Sequence, residues 1–267
     1  MRTFSQLLLF SAVADLMALL TLIVTLPREI AVGQLLVVQF HGICVAPSQI
    51  FCWFSFGVLQ STFPISCALL SASFGLRFAA VANYRVHRCA VFVIIFAVAG
   101  LFLPYIWMFQ NIFRVGISNS NNIDIVTRYA VEKTQMSIID QNERFTKITI
   151  HLALATALIL FLLSLIFRSL ILRKLKTVHI YFTGTNYEVL IQILKALNLQ
   201  LPISSLYFSA AIIFLLNSRG IIRGEYVEYW SVLIANLQNV FMPVANLWII
   251  HPYRKSLMSF LSPGTNI

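Results

Sequence analysis

Residues 148–167 read ITIHLALATALILFLLSLIF, a run of 20 residues without an Asp, Glu, Lys or Arg side chain. About 20 apolar residues are what a helix needs to cross the hydrocarbon core of a bilayer. In the whole chain, 59% of the residues are hydrophobic and only 10% are charged. Soluble domains carry about 25% charged residues. The chain is therefore predicted to be an integral membrane protein.

Five further stretches qualify as membrane spans by the same criterion. With 148–167 they predict an all-α membrane protein, a serpentine bundle of six spans forming one domain over 1–267, with a short cytosolic tail at 251–267. A signal peptide is the alternative for the first stretch, but its apolar run is too long and carries Asp15. The five stretches are 6–26, 47–70, 89–112, 196–216 and 229–250.

The basic residues predict which side of the membrane each loop faces, because cytosolic loops carry more Lys and Arg. With a cytosolic N-terminus and alternating spans, eleven of the 19 basic residues fall on the cytosolic side. Five of the eight outer basic residues lie in one long loop, 113–147, where this rule weakens. Both termini are therefore expected inside the cell.

Several function classes find no support in the sequence. It holds no metalloprotease, nucleophile-elbow or phosphate-binding-loop motif, its five histidines are scattered, and its four cysteines form no CxxC pair. An enzyme, a cofactor and a metal site are therefore not expected. The net charge of +10 does not indicate nucleic-acid binding, because the charges flank long apolar runs. Membrane lipid is the expected partner.

Asp15 lies in the middle of the first predicted span, where an ionisable side chain is costly and usually faces other helices. Ser11 and Ala18 share its helix face, and small residues let two helices approach closely. Asp15 is therefore expected in a helix interface. Two interpretations stay open: a protonated or hydrogen-bonded packing residue, or a polar switch that senses ions or rearranges on activation.

Segment 229–250 offers candidate partners for Asp15. Asn236, Asn239 and Asn246 fall on one helix face with Pro243, which is able to kink the helix. Such a stripe is either static interhelical glue or part of a bundle that changes shape. Segment 196–216 carries a shorter polar stripe, made of Gln200, Ser204 and Tyr207.

Four basic residues form a candidate cytosolic coupling surface: Arg77, Arg173, Lys174 and Arg254. Arg77 follows the second predicted span at the end of the helix, where it is able to reach the cytosolic interface, and its alternative role is that of a topology anchor. The loop that contains Arg173 and Lys174 would either attract anionic lipid headgroups or dock an intracellular partner. Arg254 precedes the apolar face of a short helix expected to lie in the membrane interface.

Five segments together resemble the nematode serpentine chemoreceptors, and most closely their class d (delta) family in the Str superfamily. They look like that family's second helix, the start and the cytosolic end of its third, its sixth helix, and the end of its seventh. The segments are MRTFSQLLLFSAVADLMALL (1–20), HGICVAPSQIFCWF (41–54), LLSASFGLRF (69–78), QILKALNLQLPISSLYF (192–208) and PVANLWIIHPYRKSL (243–257).

The resemblance implies a G-protein-coupled chemosensory receptor for a small environmental chemical, with a heterotrimeric G protein as partner. It places the chain in the cell membrane, as a multi-pass protein of sensory neuron cilia or plasma membrane. It names no ligand-binding residue. The alternative functions are a small multi-span transporter or channel subunit, or a truncated receptor remnant that does not signal.

The chain departs from the family pattern in two ways. Met1 falls where the second helix begins, so the six spans are expected to be helices 2–7 of a seven-helix receptor, with the first helix missing. Loop 113–147 contains no cysteine, so the usual bridge from the third helix to this loop is not expected. Cys44 and Cys52 are expected about two turns apart on one helix, too far to pair with each other.

Overall fold

The computed structural model of the chain is mostly helical, which confirms the predicted fold class. It describes residues 2–32, 35–82, 84, 88–100, 102–118, 135–178, 185–222 and 224–249. The predicted tail, 251–267, lies outside the described residues. The helices are α1 (Arg2–Thr25), α2 (Gln49–Val81), α3 (Arg88–Gly100), α4 (Phe102–Ser118), α5 (Arg144–Val178), α6 (Thr185–Ser218) and α7 (Glu225–Ile249).

Among the described residues, five stretches are long and apolar enough to cross a membrane. They correspond to the first five predicted spans. The third of them runs over both α3 and α4. The sixth predicted span, 229–250, falls on α7 up to Ile249, and this helix is not among the five. Its described part is less apolar because it carries the amides Asn236, Gln238 and Asn239. The five stretches are Gln6–Thr25, Gln49–Ala79, Phe92–Val115, Arg144–Leu175 and Asn198–Asn217.

Helix α2 is the central element of the bundle. Most of its candidate span is buried, whereas most residues of the other four candidate spans are not buried. Helices α1, α4 and α5 pack along it. Its polar residues do not interrupt the helix, because the hydroxyls of Ser61 and Thr62 donate to carbonyls one turn back, at 2.7 and 2.6 Å. Such internal bonding satisfies hydroxyl groups where no water is available.

A three-stranded antiparallel sheet covers one end of the bundle, in the order β1 (Pro27–Val32), β2 (Leu35–Phe40), β3 (Gln135–Asp140). These strands were not predicted. The stretch expected as a loop, 113–147, contains regular structure in its described parts, since α4 continues to Ser118 and β3 follows later. The strands are only six residues long, so a search for 20-residue apolar windows passes over them.

Cys44 and Cys52 form a disulfide, and their Cα atoms lie 5.0 Å apart. The expectation that they are too distant to pair is therefore wrong. It assumed one continuous helix, but α2 begins only at Gln49, and Cys44 lies in a separate short 3-10 helix, Ile43–Val45. The turn between these two helices folds Cys44 back against the first turn of α2. The bridge thus ties the end of the sheet to the central helix.

Aromatic side chains pack where the sheet meets the helices. The ring centroids of Phe40 and Phe56 lie 5.8 Å apart, and those of Phe56 and Phe113 lie 5.5 Å apart. Trp53 stacks on Phe113 at 6.0 Å. Helices α1, α4 and α6 end near the sheet, and α2, α5 and α7 begin there. We call this the sheet end of the bundle; the charge distribution predicts that it faces outside.

Candidate functional site

A cavity of about 110 Å³ lies beneath the sheet, between the helices. Most of its wall is aliphatic or aromatic, which is typical of a small-molecule site. Its polar lining consists of Glu29, Gln60, Tyr207 and Ser231. Its aromatic lining includes Phe56, Phe63, Phe109 and Phe214. Sequence reasoning named no ligand-binding residue, because the wall draws one to four residues from each of many elements that are distant in the sequence.

Glu29 supplies a carboxyl group to the lining of this cavity. It lies on β1, opposite Val38 of β2, and only 3% of it is exposed. The Ser231 hydroxyl donates a hydrogen bond of 2.8 Å to its carboxylate, and the amide of Asn217 donates to its backbone carbonyl at 3.3 Å. Burial raises the pKa of Glu29 to about 7, although the Ser231 bond acts in the opposite direction. The signal in the sequence that could have found Glu29 is an acid directly before a short apolar stretch, in REIAV.

The neighbouring residue, Arg28, points away from the cavity. Side chains of consecutive strand residues lie on opposite faces of a sheet. The Arg28 guanidinium forms an ion pair of 2.7 Å with Glu228 of α7 and lies 5.5 Å from the centre of the Tyr229 ring. These contacts fasten β1 to the first turn of α7, and the opposite face of β1 presents Glu29 to the cavity.

Asp15 is buried between α1 and α2, with 2% of it exposed. Its expected position in a helix interface is therefore confirmed, while its role stays a prediction. The hydroxyl of Ser66 on α2 donates to its Oδ1 at 3.2 Å, and Oδ2 has no partner among the described residues. A cavity of about 10 Å³ adjoins Asp15, which is about the room that one water molecule needs. Ser73, Gln200 and Gln238 also line this cavity.

Two residues of the asparagine stripe of α7, Asn236 and Asn239, bond within their own helix rather than to Asp15. Asn239 donates to Asn236 at 3.2 Å, and Asn236 donates to a carbonyl of its own helix at 2.8 Å. The face of α7 towards Asp15 instead carries Gln238 and Met242, which are one turn apart. Both asparagines are buried; the side chain of Asn246 lies outside the described residues.

Arg77 is buried, with 5% exposed, rather than lying at the surface. Its Nη1 donates to Oε1 of Gln200 at 2.7 Å, so that it joins α2 to α6. The contact lies towards the end of the bundle opposite the sheet. Arg173 and Lys174 are exposed on α5, whereas Arg254 lies outside the described residues. The four candidate coupling residues are thus not brought together as one described surface.

The sequence profile of the family described as "Serpentine type 7TM GPCR chemoreceptor Srd" matches residues 1–259. The chain belongs to this family. Comparisons with curated proteins and with solved structures find no match. Membership makes this Srd chain a multi-pass membrane protein of a receptor family that is not an enzyme family. Among the described residues, no three His, Cys, Asp or Glu side chains are grouped to hold a metal.

The free energy of unfolding of the Srd chain should depend on pH because of Glu29. Its folded pKa of about 7 lies above the ordinary value of 4.5. Folding therefore favours the protonated form, and this contribution is fully present below pH 4.5 and is lost as the pH rises through 7. A shift of this size corresponds to about 3 kcal/mol. Glu29→Gln, which resembles the protonated acid, is expected to avoid this loss.

The measurement is the difference in unfolding midpoint between Glu29→Gln and the wild-type chain from pH 4 to pH 8 in one detergent. The difference should rise towards high pH. Glu228→Gln serves as the control, because Glu228 pairs with Arg28 outside the cavity. Parallel profiles for wild type and Glu29→Gln would show that Glu29 does not titrate in this range.

Proposed function

We propose that this chain is a chemosensory receptor that binds a small molecule in the cavity beneath the sheet and activates a heterotrimeric G protein at the opposite end. One observation carries the proposal: helix α2 runs from the cavity to both buried polar contacts. It lines the cavity with Phe56 and Phe63, reaches Asp15 through Ser66, and reaches Gln200 through Arg77. Family membership favours a receptor over a transporter or channel subunit.

The mechanism is a shift between two arrangements of the bundle. A ligand changes such an equilibrium only through different affinities for the two states. The cavity is bounded by α2, α5, α6 and α7, so a ligand there contacts the helices that a rearrangement would move. The proposed switch residues are Asp15, Asn236, Asn239 and Asn246, which are polar groups in or between helices.

The proposed coupling surface consists of Arg77, Arg173, Lys174 and Arg254. Arg77 differs from the others because it is held by Gln200 inside the bundle. Separation of α6 from α2 would release Arg77 towards the cytosol, where a G protein docks. Plasma membrane or cilia of a sensory neuron are the proposed location, since a detector of environmental chemicals has to face the surroundings.

Nucleotide exchange on purified G proteins tests the proposal. The full chain in lipid nanodiscs is mixed with one heterotrimer of each α-subunit class, and uptake of a non-hydrolysable GTP analogue is followed. The wild-type chain or its Gln200→Leu variant should accelerate uptake by at least one class above the rate with empty nanodiscs. The absence of acceleration by both proteins with every class would contradict G-protein coupling.

A further inference from the structure

We infer that the cavity beneath the sheet takes a small alkyl amine, whose ammonium group pairs with the Glu29 carboxylate while its hydrocarbon part contacts the apolar wall. This inference names a ligand class for the proposed receptor and rests on that function for its biological meaning. The site itself rests on three observations: the size of the cavity, the chemistry of its wall, and the incomplete pairing of Glu29.

The cavity volume restricts the ligand to a small molecule. Its volume of about 110 Å³ is below that of many ligand sites, which range from about 300 to 1,000 Å³. An apolar cavity of about 150 Å³ accepts benzene, so this one has room for about four or five non-hydrogen atoms. An amine with a three- or four-carbon chain has this size.

The wall suits both parts of such a molecule. Ala210, Ala211, Val232 and Ile139 offer aliphatic contacts to the hydrocarbon chain. The aromatic rings in the wall are favourable for a cation as well, because an ammonium group is attracted to the face of an aromatic ring. Lys, Arg and His are absent from the described lining, so nothing there repels an ammonium group.

The ionised form of Glu29 is the group that requires a cation. A buried carboxylate is costly unless it is paired with an opposite charge and hydrogen-bonded. In the part of the chain that the structure describes, Glu29 accepts a bond from the neutral Ser231 hydroxyl and has no ion-pair partner. The neighbouring Arg28 bonds Glu228 on the other face of the strand. An ammonium group would supply the missing charge from within the cavity.

The ionisation of Glu29 makes this recognition dependent on pH. Burial raises its pKa to about 7, so the carboxylate is largely neutral at pH 5. Tyr207 is the other titratable group that lines the cavity among the described residues, and Arg28, Glu228 and His41 lie around the outer face of β1. Burial, followed by the charge of Arg28, lowers the pKa of His41, which keeps this imidazole neutral near pH 7. An alkylammonium group stays charged from pH 5 to pH 8, as a lysine side chain does with a pKa of about 10.4.

The test compares n-butylamine with n-butanol, which has the same number of non-hydrogen atoms and no charge. Binding to the full chain in phosphatidylcholine nanodiscs is measured from the rise of the unfolding midpoint with ligand concentration. Butylamine is expected to bind about 10-fold or more tightly than butanol, since a charge-assisted hydrogen bond is roughly twice as strong as a neutral one. Equal binding of the two probes, or no binding of butylamine, would overturn the inference.

Two variants, each with its own control variant, test which residues form the binding site. Glu29→Gln should remove the preference for butylamine, whereas the matched control Glu228→Gln should retain it. Ala211→Leu should fill the cavity and abolish the binding of both probes, while Ala97→Leu, at an exposed position of α3, should not. A preference for butylamine that persists in Glu29→Gln would contradict the assigned role of this carboxylate.

A measurement on the wild-type chain covers the case in which Glu29→Gln does not fold. Butylamine binding should weaken about 10-fold or more as the pH falls from 8 to 5, because the Glu29 carboxylate becomes protonated over this range. Butanol binding should not change, and a constant ratio of the two affinities would overturn the inference. The binding assay contains no G protein. Butylamine binding without nucleotide exchange would therefore refute only the proposed receptor function. Nucleotide exchange without butylamine binding would refute only this inference.

Discussion

Nucleotide exchange in the absence of ligand is expected to rise about 10-fold or more in the Gln200→Leu variant. The change removes the acceptor of the 2.7 Å bond that Arg77 donates across the interface of α2 and α6. A hydrogen bond to a charged group contributes about 1.5–3 kcal/mol. The closed arrangement of α2 and α6 loses this contribution, while an open arrangement exposes Arg77 to water. The measurement is the uptake of a GTP analogue by the G protein at equal receptor concentration.

Asn198→Leu is the matched control for this prediction. Asn198 precedes Gln200 by two residues on α6 and accepts a hydrogen bond of 2.8 Å from Arg168 of α5. This bond joins the same two kinds of group, but it is exposed, and exposed charge contacts contribute little because water competes for them. We expect the control to stay within about twofold of the wild type. Equal effects of the two variants would mean that the buried contact does not restrain the closed state.

Gly42→Ala is expected to prevent stable folding of the sheet end. A Cβ atom at this position would collide with the backbone carbonyls of Val24 and Ile23, where α1 ends. Both belong to a helix backbone that cannot move aside as a flexible side chain does. Overpacking of a well-packed region costs about 1–3 kcal/mol and more where backbone has to shift. Since Gly42 also donates to the Thr25 carbonyl at 3.1 Å, the junction of sheet and α1 would be lost.

The measurement for Gly42→Ala is the monodisperse fraction after detergent extraction, followed by the unfolding midpoint of that fraction. Gly100→Ala provides the control, because a Cβ atom there would meet nothing within 4 Å. Gly100 ends α3, and Ala is favoured over Gly in helices by about 1 kcal/mol, so the control should be neutral or slightly stabilised. A Gly42→Ala chain as stable as the control would show that the close approach of sheet and helix is not maintained.

The apolar spans could be predicted because their signal is local. A run such as 148–167 needs no knowledge of the rest of the chain, since any helix of that composition is stable in lipid. The burial of Asp15 followed from the same reasoning, because an isolated carboxylate does not face hydrocarbon. For these reasons, five of the predicted spans coincide with helices that are long and apolar enough to cross a membrane, and Asp15 is buried. The family resemblance, drawn from five short segments, is confirmed by the profile that matches residues 1–259.

Local sequence did not predict the sheet, the disulfide or the partners of the polar residues. Each depends on segments that are distant in the sequence: β3 pairs with β2 about 100 residues before it, and Arg77 meets Gln200 across 123 positions. The disulfide was missed because the start of α2 depends on the turn after β2, which periodicity alone does not locate.

By itself, the sequence determined that this chain is a membrane-embedded helical protein, because hydrophobic length acts within each segment. The serpentine receptor family was indicated by the resemblance of five segments to that family. Only the tertiary structure decided that Ser66 donates to Asp15 while Asn236 and Asn239 bond within α7, and that Glu29 enters an apolar cavity. The physical reason is that several polar groups could satisfy each buried residue equally well. Which one does so depends on the rotation and offset of the packed helices, and these are set by the packing of the whole bundle.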